Sequence, residues 1–168
     1  RTLDRARKAP TRVLCARGFS DPRAARLFMN PTLADLHDPY LLAGMSEAVP
    51  RLRRAIEQKE SILLYGDYDV DGTSAVVILK KGLDLLGGVA SYHVPHRLRD
   101  GYGMKSEVVE EAAARGVKLI VSVDTGIRAN DVVRHAAAFG IDVIVTDHHL
   151  PEAELPPAVA VLNPNRRD

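Results

Sequence analysis

The chain has 168 residues, of which 46% are hydrophobic and 27% are charged, and its net charge is +1. This composition is typical of a globular domain with a sizeable core, and no apolar run is long enough to span a membrane. The single cysteine, Cys15, excludes an internal disulfide and a cysteine-based metal site, and it favours the reducing cytoplasm as the location. We therefore expect a cytoplasmic protein without a membrane partner.

The charges are unevenly distributed along the chain. Residues 1–60 carry a net charge of +5, whereas residues 61–168 carry a net charge of −4. A divalent cation bound among the acidic residues would reverse the local sign of the charge and allow an anionic substrate to approach.

Residues 1–60 are predicted to form a helical lead-in. Asp21-Pro22 predicts a helix start, because Asp is a favoured N-cap and Pro is favoured at the first helical position, and Asn30-Pro31 predicts the end of that helix. A second amphipathic helix is predicted over residues 44–58. Its arginines are predicted to be largely exposed, either solvated or available to bind phosphate: Arg51, Arg53 and Arg54.

From residue 61 onward, apolar strands alternate with amphipathic helices, which indicates a parallel sheet with crossover helices. The predicted strands are residues 61–66, 89–94, 118–123, 141–146 and 158–162. The predicted helices are residues 73–86, 105–115 and 128–138. The predicted fold is therefore α/β, with a five-stranded, mainly parallel sheet in three layers and a domain boundary between 1–60 and 61–168.

The stretch SILLYGDYDVDGTS, residues 61–74, places three carboxylates at alternate positions directly after a buried strand: Asp67, Asp69 and Asp71. Because alternate residues of an extended segment share a face, these groups would repel one another unless a cation lay among them. Gly72 then allows a tight turn, and the next helix is expected to begin at Thr73. The pattern indicates a metal site.

Two further strands end in possible metal ligands. The third ends at Asp124 and the fourth at Asp147-His148-His149. If the strand order is 2-1-3-4-5, strands one, three and four are neighbours, and their carboxyl ends meet where ligands bind in open parallel sheets. Carboxylate and imidazole ligands without thiolate suit Mn²⁺ or Mg²⁺, and Zn²⁺ or Co²⁺ is also possible. Two such ions bridged by an Asp are an arrangement that hydrolyses phosphoesters.

The loop after the second strand, HRLRDGYG, lies at the same sheet edge. Arg97 and Arg99 could grip phosphate there, and Tyr102 could stack on a base. A merely structural role for this loop stays open.

The motifs GDYDVDG, VDTG and TDHH together resemble the DHH phosphoesterase superfamily, which is named for the residues found here at 147–149. More narrowly, LFMNPTLADLHDPYLL, PHRLRDGYGM and VLNPNR resemble the RecJ single-strand-specific 5′ to 3′ exonucleases. The resemblance implies a DHH-type sheet, two Mn²⁺ or Mg²⁺ ions, and hydrolysis of single-stranded DNA in recombination and repair.

The resemblance also implies roles for individual residues. The metal ligands would be Asp67, Asp69, Asp71, Asp124 and His148. The catalytic residues would be Asp69, Asp71, Asp124, His148 and His149. Asp124 would bridge the two ions, His149 would face the scissile phosphate, and Arg97 would hold the 5′ phosphate. The substrate-binding residues are therefore expected to be Arg97, Tyr102 and His149.

The family's fourth motif, a further Asp ligand, and its C-terminal domain are not found within these 168 residues. The resemblance therefore predicts a fragment of a larger enzyme, which in isolation could be inactive.

Three alternatives stay open. The first is a phosphodiesterase of the same superfamily that acts on a small phosphoester, a cyclic dinucleotide or an oligonucleotide. The second is a haloacid-dehalogenase-type phosphatase, in which Asp69 would be a covalent nucleophile and Asp71 a general acid beside one Mg²⁺. The third is a non-catalytic module that binds nucleic acid.

Overall fold

A computed structural model of the protein describes residues 10–167. The chain divides into two compact units, Arg1–Asp38 and Pro39–Asp168. In the first unit, residues 10–16 are helical, and they are followed by helix α1 (Pro22–Met29). The part of the predicted lead-in that covers residues 1–9 lies outside the described residues.

Helix α1 has the predicted bounds for the predicted reasons. The carboxylate of Asp21 accepts a hydrogen bond from the backbone N–H of Ala24 at 2.8 Å, and Pro22 occupies the first helical position. Asn30 forms the C-terminal cap.

The second unit is a sheet covered by helices on both faces. In chain order its elements are α2 (Met45–Glu57), β1 (Ser61–Tyr65), α3 (Val70–Leu85), β2 (Val89–His93), α4 (Ser106–Ala114), β3 (Val117–Val123), α5 (Asn130–Ala138), β4 (Asp142–Thr146) and β5 (Ala160–Leu162). All neighbouring strands are parallel, in the order β2-β1-β3-β4-β5. The five-stranded α/β fold and the strand order are therefore confirmed.

Alternation along β1 divides the core between the two faces of the sheet. Ile62 and Leu64 pack with apolar residues of α2 and α3, whereas Leu63 and Tyr65 pack with those of α4 and α5. These are the three predicted layers. None of the helices in the described part of the chain combines the length and apolar character needed to cross a membrane.

Helix α2 belongs to the same compact unit as the sheet, and that unit begins at Pro39. Two small residues of α2, Ala48 and Ala55, are buried in the core cluster that includes β1. The domain boundary at residue 60 stays a prediction.

The prediction that Arg51 is exposed is wrong, because this residue is only 6% exposed. Its Nη1 lies 2.7 Å from Oε2 of Glu60, and its Nε donates to Oδ2 of Asp142. Its Nη2 donates to the carbonyl of Lys118 at 3.1 Å. Arg51 therefore connects α2 to residues at or near the starts of β1, β3 and β4, and it is not available to bind phosphate.

We expect Arg51→Ala to lower the free energy of unfolding by about 2–3 kcal/mol, because it leaves Glu60 and Asp142 without their buried partner. The expected loss is smaller than that for a fully buried ion pair, because the Asp142 side chain is partly exposed to water. Arg54→Ala is the control, because Arg54 pairs with the same carboxylate from an exposed position, and it should cost at most about 1 kcal/mol. Urea unfolding measures both. Equal losses would show that burial does not set the strength of the Arg51 pairs.

Candidate metal centre

Three loops bring acidic and imidazole side chains together at one edge of the sheet. Since β1, β3 and β4 are parallel neighbours, the loops that follow them leave the sheet side by side. Two groups of possible ligand atoms result, and within each group the atoms lie within 4.8 Å of one another. One group comprises Asp67, Asp69 and Asp124, and the other comprises Asp124, His148 and His149. Asp124 belongs to both.

The loop after β1 differs from its predicted form, because α3 begins at Val70 and not at Thr73. Asp69 is the N-cap, and its Oδ1 accepts hydrogen bonds from the backbone N–H groups of Asp71 at 2.9 Å and Gly72 at 3.0 Å. Asp71 therefore lies in the first helical turn, and its carboxylate belongs to neither ligand group. The three carboxylates do not share one face of an extended segment. The catalytic and metal-binding roles of Asp71 stay predictions.

The cap also lowers the pKa of Asp69. The hydrogen bond from the N–H of Gly72 is the largest cause, and together with that from Asp71 it favours the charged carboxylate and outweighs the opposing effect of burial. Asp69 is therefore held ionised at the edge of the site.

Gly72 allows α3 to approach the loop that precedes it. A Cβ atom at this position would lie 2.6 Å from the backbone N of Asp67 and 2.7 Å from its carbonyl oxygen. Only a residue without a side chain fits at these distances. The close approach places the start of α3 directly against the backbone of Asp67.

Gly72→Ala should therefore destabilise the protein by about 1–3 kcal/mol, since backbone atoms must move to admit the methyl group. Gly82→Ala, in the last turn of the same helix, is the control. A Cβ there meets no atom within 4 Å, so alanine should stabilise the helix by about 0.5–1 kcal/mol. Thermal unfolding of the two variants should shift Tm in opposite directions. A rise in Tm for both would contradict the close approach at Asp67.

Asp124 directly follows β3 in a left-handed backbone conformation, with φ of 59°. Asp and Asn adopt this conformation more readily than most side chains. Its N–H donates to the carbonyl of Thr146 at 2.9 Å, which extends the pairing of β3 with β4 by one residue. This turn places the largely buried carboxylate of Asp124 between the residues that follow β1 and those that follow β4.

The carboxylates of Asp67 and Asp124 lack the partners that buried polar groups normally have. In each, Oδ1 is buried without a hydrogen-bond partner. His148 Nε2 lies 2.9 Å from Oδ1 of Asp124, which is an ion pair when the imidazole is protonated. Burial and the nearby charge of Asp69 raise the pKa of Asp124, and His148 only partly offsets them. These oxygens and imidazoles fit a divalent cation that accepts oxygen and nitrogen donors, such as Mn²⁺ or Mg²⁺.

Asp147, one of the possible metal ligands at the end of β4, belongs to neither ligand group and instead binds the backbone around it. Its buried carboxylate accepts N–H bonds from Ile127 at 3.0 Å, His148 at 2.7 Å and His149 at 3.1 Å, and it lies 2.7 Å from Nδ1 of His149. Burial raises the pKa of Asp147, but these hydrogen bonds outweigh it and keep the pKa below its ordinary value. Asp side chains often accept a hydrogen bond from the backbone N–H two residues later, and this tendency could have indicated the role.

The contact with Asp147 fixes the orientation of one imidazole. An ionised carboxylate only accepts hydrogen bonds, so Nδ1 of His149 carries a proton that it donates to Asp147. Asp147 therefore orients His149 and does not compete as a ligand.

The predicted substrate-binding residues lie at or near the same edge. The hydroxyl of Tyr102 is 3.2 Å from Nδ1 of His149 and donates to the carbonyl of Asp124 at 3.4 Å. The Arg97 guanidinium is exposed and lies 5.4 Å from the centre of the Tyr68 ring, which belongs to the loop after β1. A cavity of about 590 Å³ beside His149 extends towards the start of α5.

The profile of the DHH family, N-terminal domain, matches residues 61–168. The chain belongs to the DHH family. Over 154 residues it is 40% identical to the single-stranded-DNA-specific exonuclease RecJ of Bacillus subtilis, an alignment that covers 92% of this chain and 20% of that protein. Over 128 residues it is 46% identical to the RecJ of Escherichia coli, covering 76% and 22%. The chain thus spans about a fifth of the length of these curated relatives.

Solved structures show the same likeness. An exonuclease RecJ bound to manganese superposes with a TM-score of 0.69 at 40% identity, over 73% of this chain and 31% of that one. RecJ from Thermus thermophilus in complex with Mn²⁺ gives a TM-score of 0.71 at 34% identity, over 90% and 20%. The same protein in complex with Mg²⁺ gives 0.50 at 28% identity, over 88% and 18%.

Proposed function

We propose that this chain supplies part of a metal-dependent phosphodiesterase centre, and that the whole protein is an exonuclease that degrades single-stranded DNA from its 5′ end in recombination and repair. The observation that carries the proposal is that Asp124 belongs to both groups of ligand atoms at the sheet edge. A shared carboxylate is what a pair of neighbouring divalent ions requires. The relatives named as single-stranded-DNA-specific exonucleases support the choice of substrate.

The resident ions would be Mn²⁺ or Mg²⁺, the ions in the solved RecJ structures. Asp67 and Asp69 would hold one ion and His148 the other, with Asp124 between them. Such a pair supplies an activated water and offsets the charge on the attacking and leaving oxygens. Asp71 is retained in the proposal as a further catalytic residue and ligand.

The remaining residues would bind and orient the substrate. His149, whose Nδ1 is held by Asp147, would face the scissile phosphate. Arg97 would hold the 5′ phosphate, because a guanidinium binds phosphate oxygens in a bidentate way. Tyr102 would contact a base from its position beside His149. A cytoplasmic location is part of the same proposal.

Two alternatives carry less support. A haloacid-dehalogenase-type mechanism needs Asp69 as a nucleophile, whereas this carboxylate caps α3 and the chain belongs to the DHH family. A non-catalytic module would not need the buried, unpartnered oxygens of Asp67 and Asp124. A small phosphoester as substrate is tested by the activity assay below.

Saturating Mn²⁺ should raise Tm by several degrees, because an ion that binds only the folded form stabilises it, by about 2.7 kcal/mol at 100 times Kd. Asp124→Asn should abolish most of this shift, since it removes the charge shared by both ligand groups, while Asn tolerates the left-handed backbone. Without metal the same change should not lower Tm, because it removes a buried charge that Asp69 repels.

Asp131→Asn is the matched control, because Asp131 is an exposed carboxylate near the start of α5 and belongs to neither ligand group. Differential scanning calorimetry with and without Mn²⁺ measures all three proteins. An unchanged Tm of the parent protein in millimolar Mn²⁺ would exclude the metal centre.

In a protein of the relatives' length that carries this sequence, Asp124→Asn or His148→Ala should lower kcat on single-stranded DNA by orders of magnitude. Each change removes a ligand of an ion. We expect this loss to destabilise the transition state more than it weakens substrate binding. Arg97→Ala should instead weaken the preference for a 5′-phosphorylated end.

The assay compares a 5′-labelled single strand, the corresponding duplex and a dinucleotide. Parental turnover by the Asp124→Asn variant would contradict the proposed centre. Faster hydrolysis of the dinucleotide than of the long strand would favour the small-phosphoester alternative.

A further inference from the structure

The two imidazoles of the candidate centre lie in a loop that packing does not hold in place. The side chains of His148 and His149 are 61% and 44% exposed, and the residues that follow β4 here have no regular secondary structure. A metal ligand must nevertheless point in one direction, since ordering it on binding costs conformational entropy. Polar contacts to the backbone are what remains to fix this loop.

On one side, the N–H groups of both histidines are held by Asp147. On the other side, their carbonyls are held by two asparagines that follow β5. Asn163 Nδ2 donates to the carbonyl of His149 at 2.9 Å, and Asn165 Nδ2 donates to the carbonyl of His148.

The two asparagines also hold each other. The backbone N–H of Asn165 donates to Oδ1 of Asn163 at 2.7 Å, and Asn163 is only 2% exposed. Asn suits this position because its short side chain carries both a donor and an acceptor. Pro164 between them fixes one backbone dihedral and so limits the freedom of this turn.

We propose that Asn163 and Asn165 are positioning residues that set the direction of His148 and His149 and thereby the affinity of the centre for its divalent cation. This inference rests on the proposed function, in which His148 is a ligand. With the N–H and C=O groups of both histidines bonded, their peptide planes are fixed, and so are the directions in which their Cβ atoms leave the backbone. Only the two side-chain dihedrals of each imidazole remain free.

The test is a double-mutant cycle of Mn²⁺ affinity, measured by isothermal titration calorimetry. Asn165→Ala is chosen because Asn165 is exposed, so the change removes the donor without leaving a core cavity or adding charge near the ion. It should weaken Mn²⁺ binding by about 10-fold, the lower end for the loss of a group that orients a ligand. In a His148→Ala background the same change should have no further effect, because it acts through His148.

Asn130→Ala is the matched control, because Asn130 also donates its side-chain N–H to a loop carbonyl, that of Glu154 at 3.4 Å. It should leave Mn²⁺ affinity unchanged. In the metal-free protein, the ring NMR signals of His148 should shift in Asn165→Ala, whereas those of His135, which pairs with Glu110, should not. A merely structural role would change Tm without this selective shift.

The outcomes separate the inference from the proposed function. If the parent protein binds Mn²⁺ and Asn165→Ala binds it equally well, the inference is overturned and the metal centre stands. The same holds if Asn165→Ala causes the same loss with and without His148. If the parent protein and His148→Ala both fail to bind Mn²⁺, the proposed function fails and the inference fails with it.

Discussion

The structure of the candidate site depends on how the repulsion among carboxylates at one sheet edge is offset. Asp69 and Asp147 accept hydrogen bonds from backbone N–H groups, which lower their pKa values. Asp67 and Asp124 each keep a buried oxygen without such a partner, and the pKa of Asp124 is raised. Backbone N–H groups thus stabilise the negative charge of two carboxylates, whereas Asp67 and Asp124 each keep a buried oxygen that a cation could bind. A positive charge is therefore required beside Asp67 and Asp124, because a buried charge without a partner is costly.

The sequence predicted the parts of this arrangement that depend on local pattern. Strand and helix periodicity gave the five strands, and the acidic and imidazole residues at three strand ends predicted a shared edge. Helix α3 begins at Val70 and not at Thr73, because Asp69 caps the helix, although the alternation of acidic residues also fits an extended segment. The same residues fit an extended segment or a capped helix start, and the hydrogen bonds to Asp69 in the structure decide for the helix.

Two features could not be predicted because they depend on partners far away in the chain. Arg51 lies on a helix face that its polar neighbours would assign to solvent, yet its partner Asp142 is 91 residues later. The bonds from Asn163 and Asn165 to the histidine carbonyls likewise require the pairing of β5 with β4. In both cases the sequence shows only a polar side chain. The fold shows which carboxylate or main-chain carbonyl that side chain binds.

The two walls of the centre are held by different means. Asp67 and Asp124 are buried against the sheet, where close packing restricts their rotamers. His148 and His149 remain open to solvent, and here polar bonds to the backbone hold the loop in place of packing. These bonds join Asp and Asn side chains to main-chain groups, so they hold the backbone of the loop while both imidazoles face water. Under the proposed function, this division keeps one side of an ion rigid and leaves the other accessible to a phosphate without disordering its ligands.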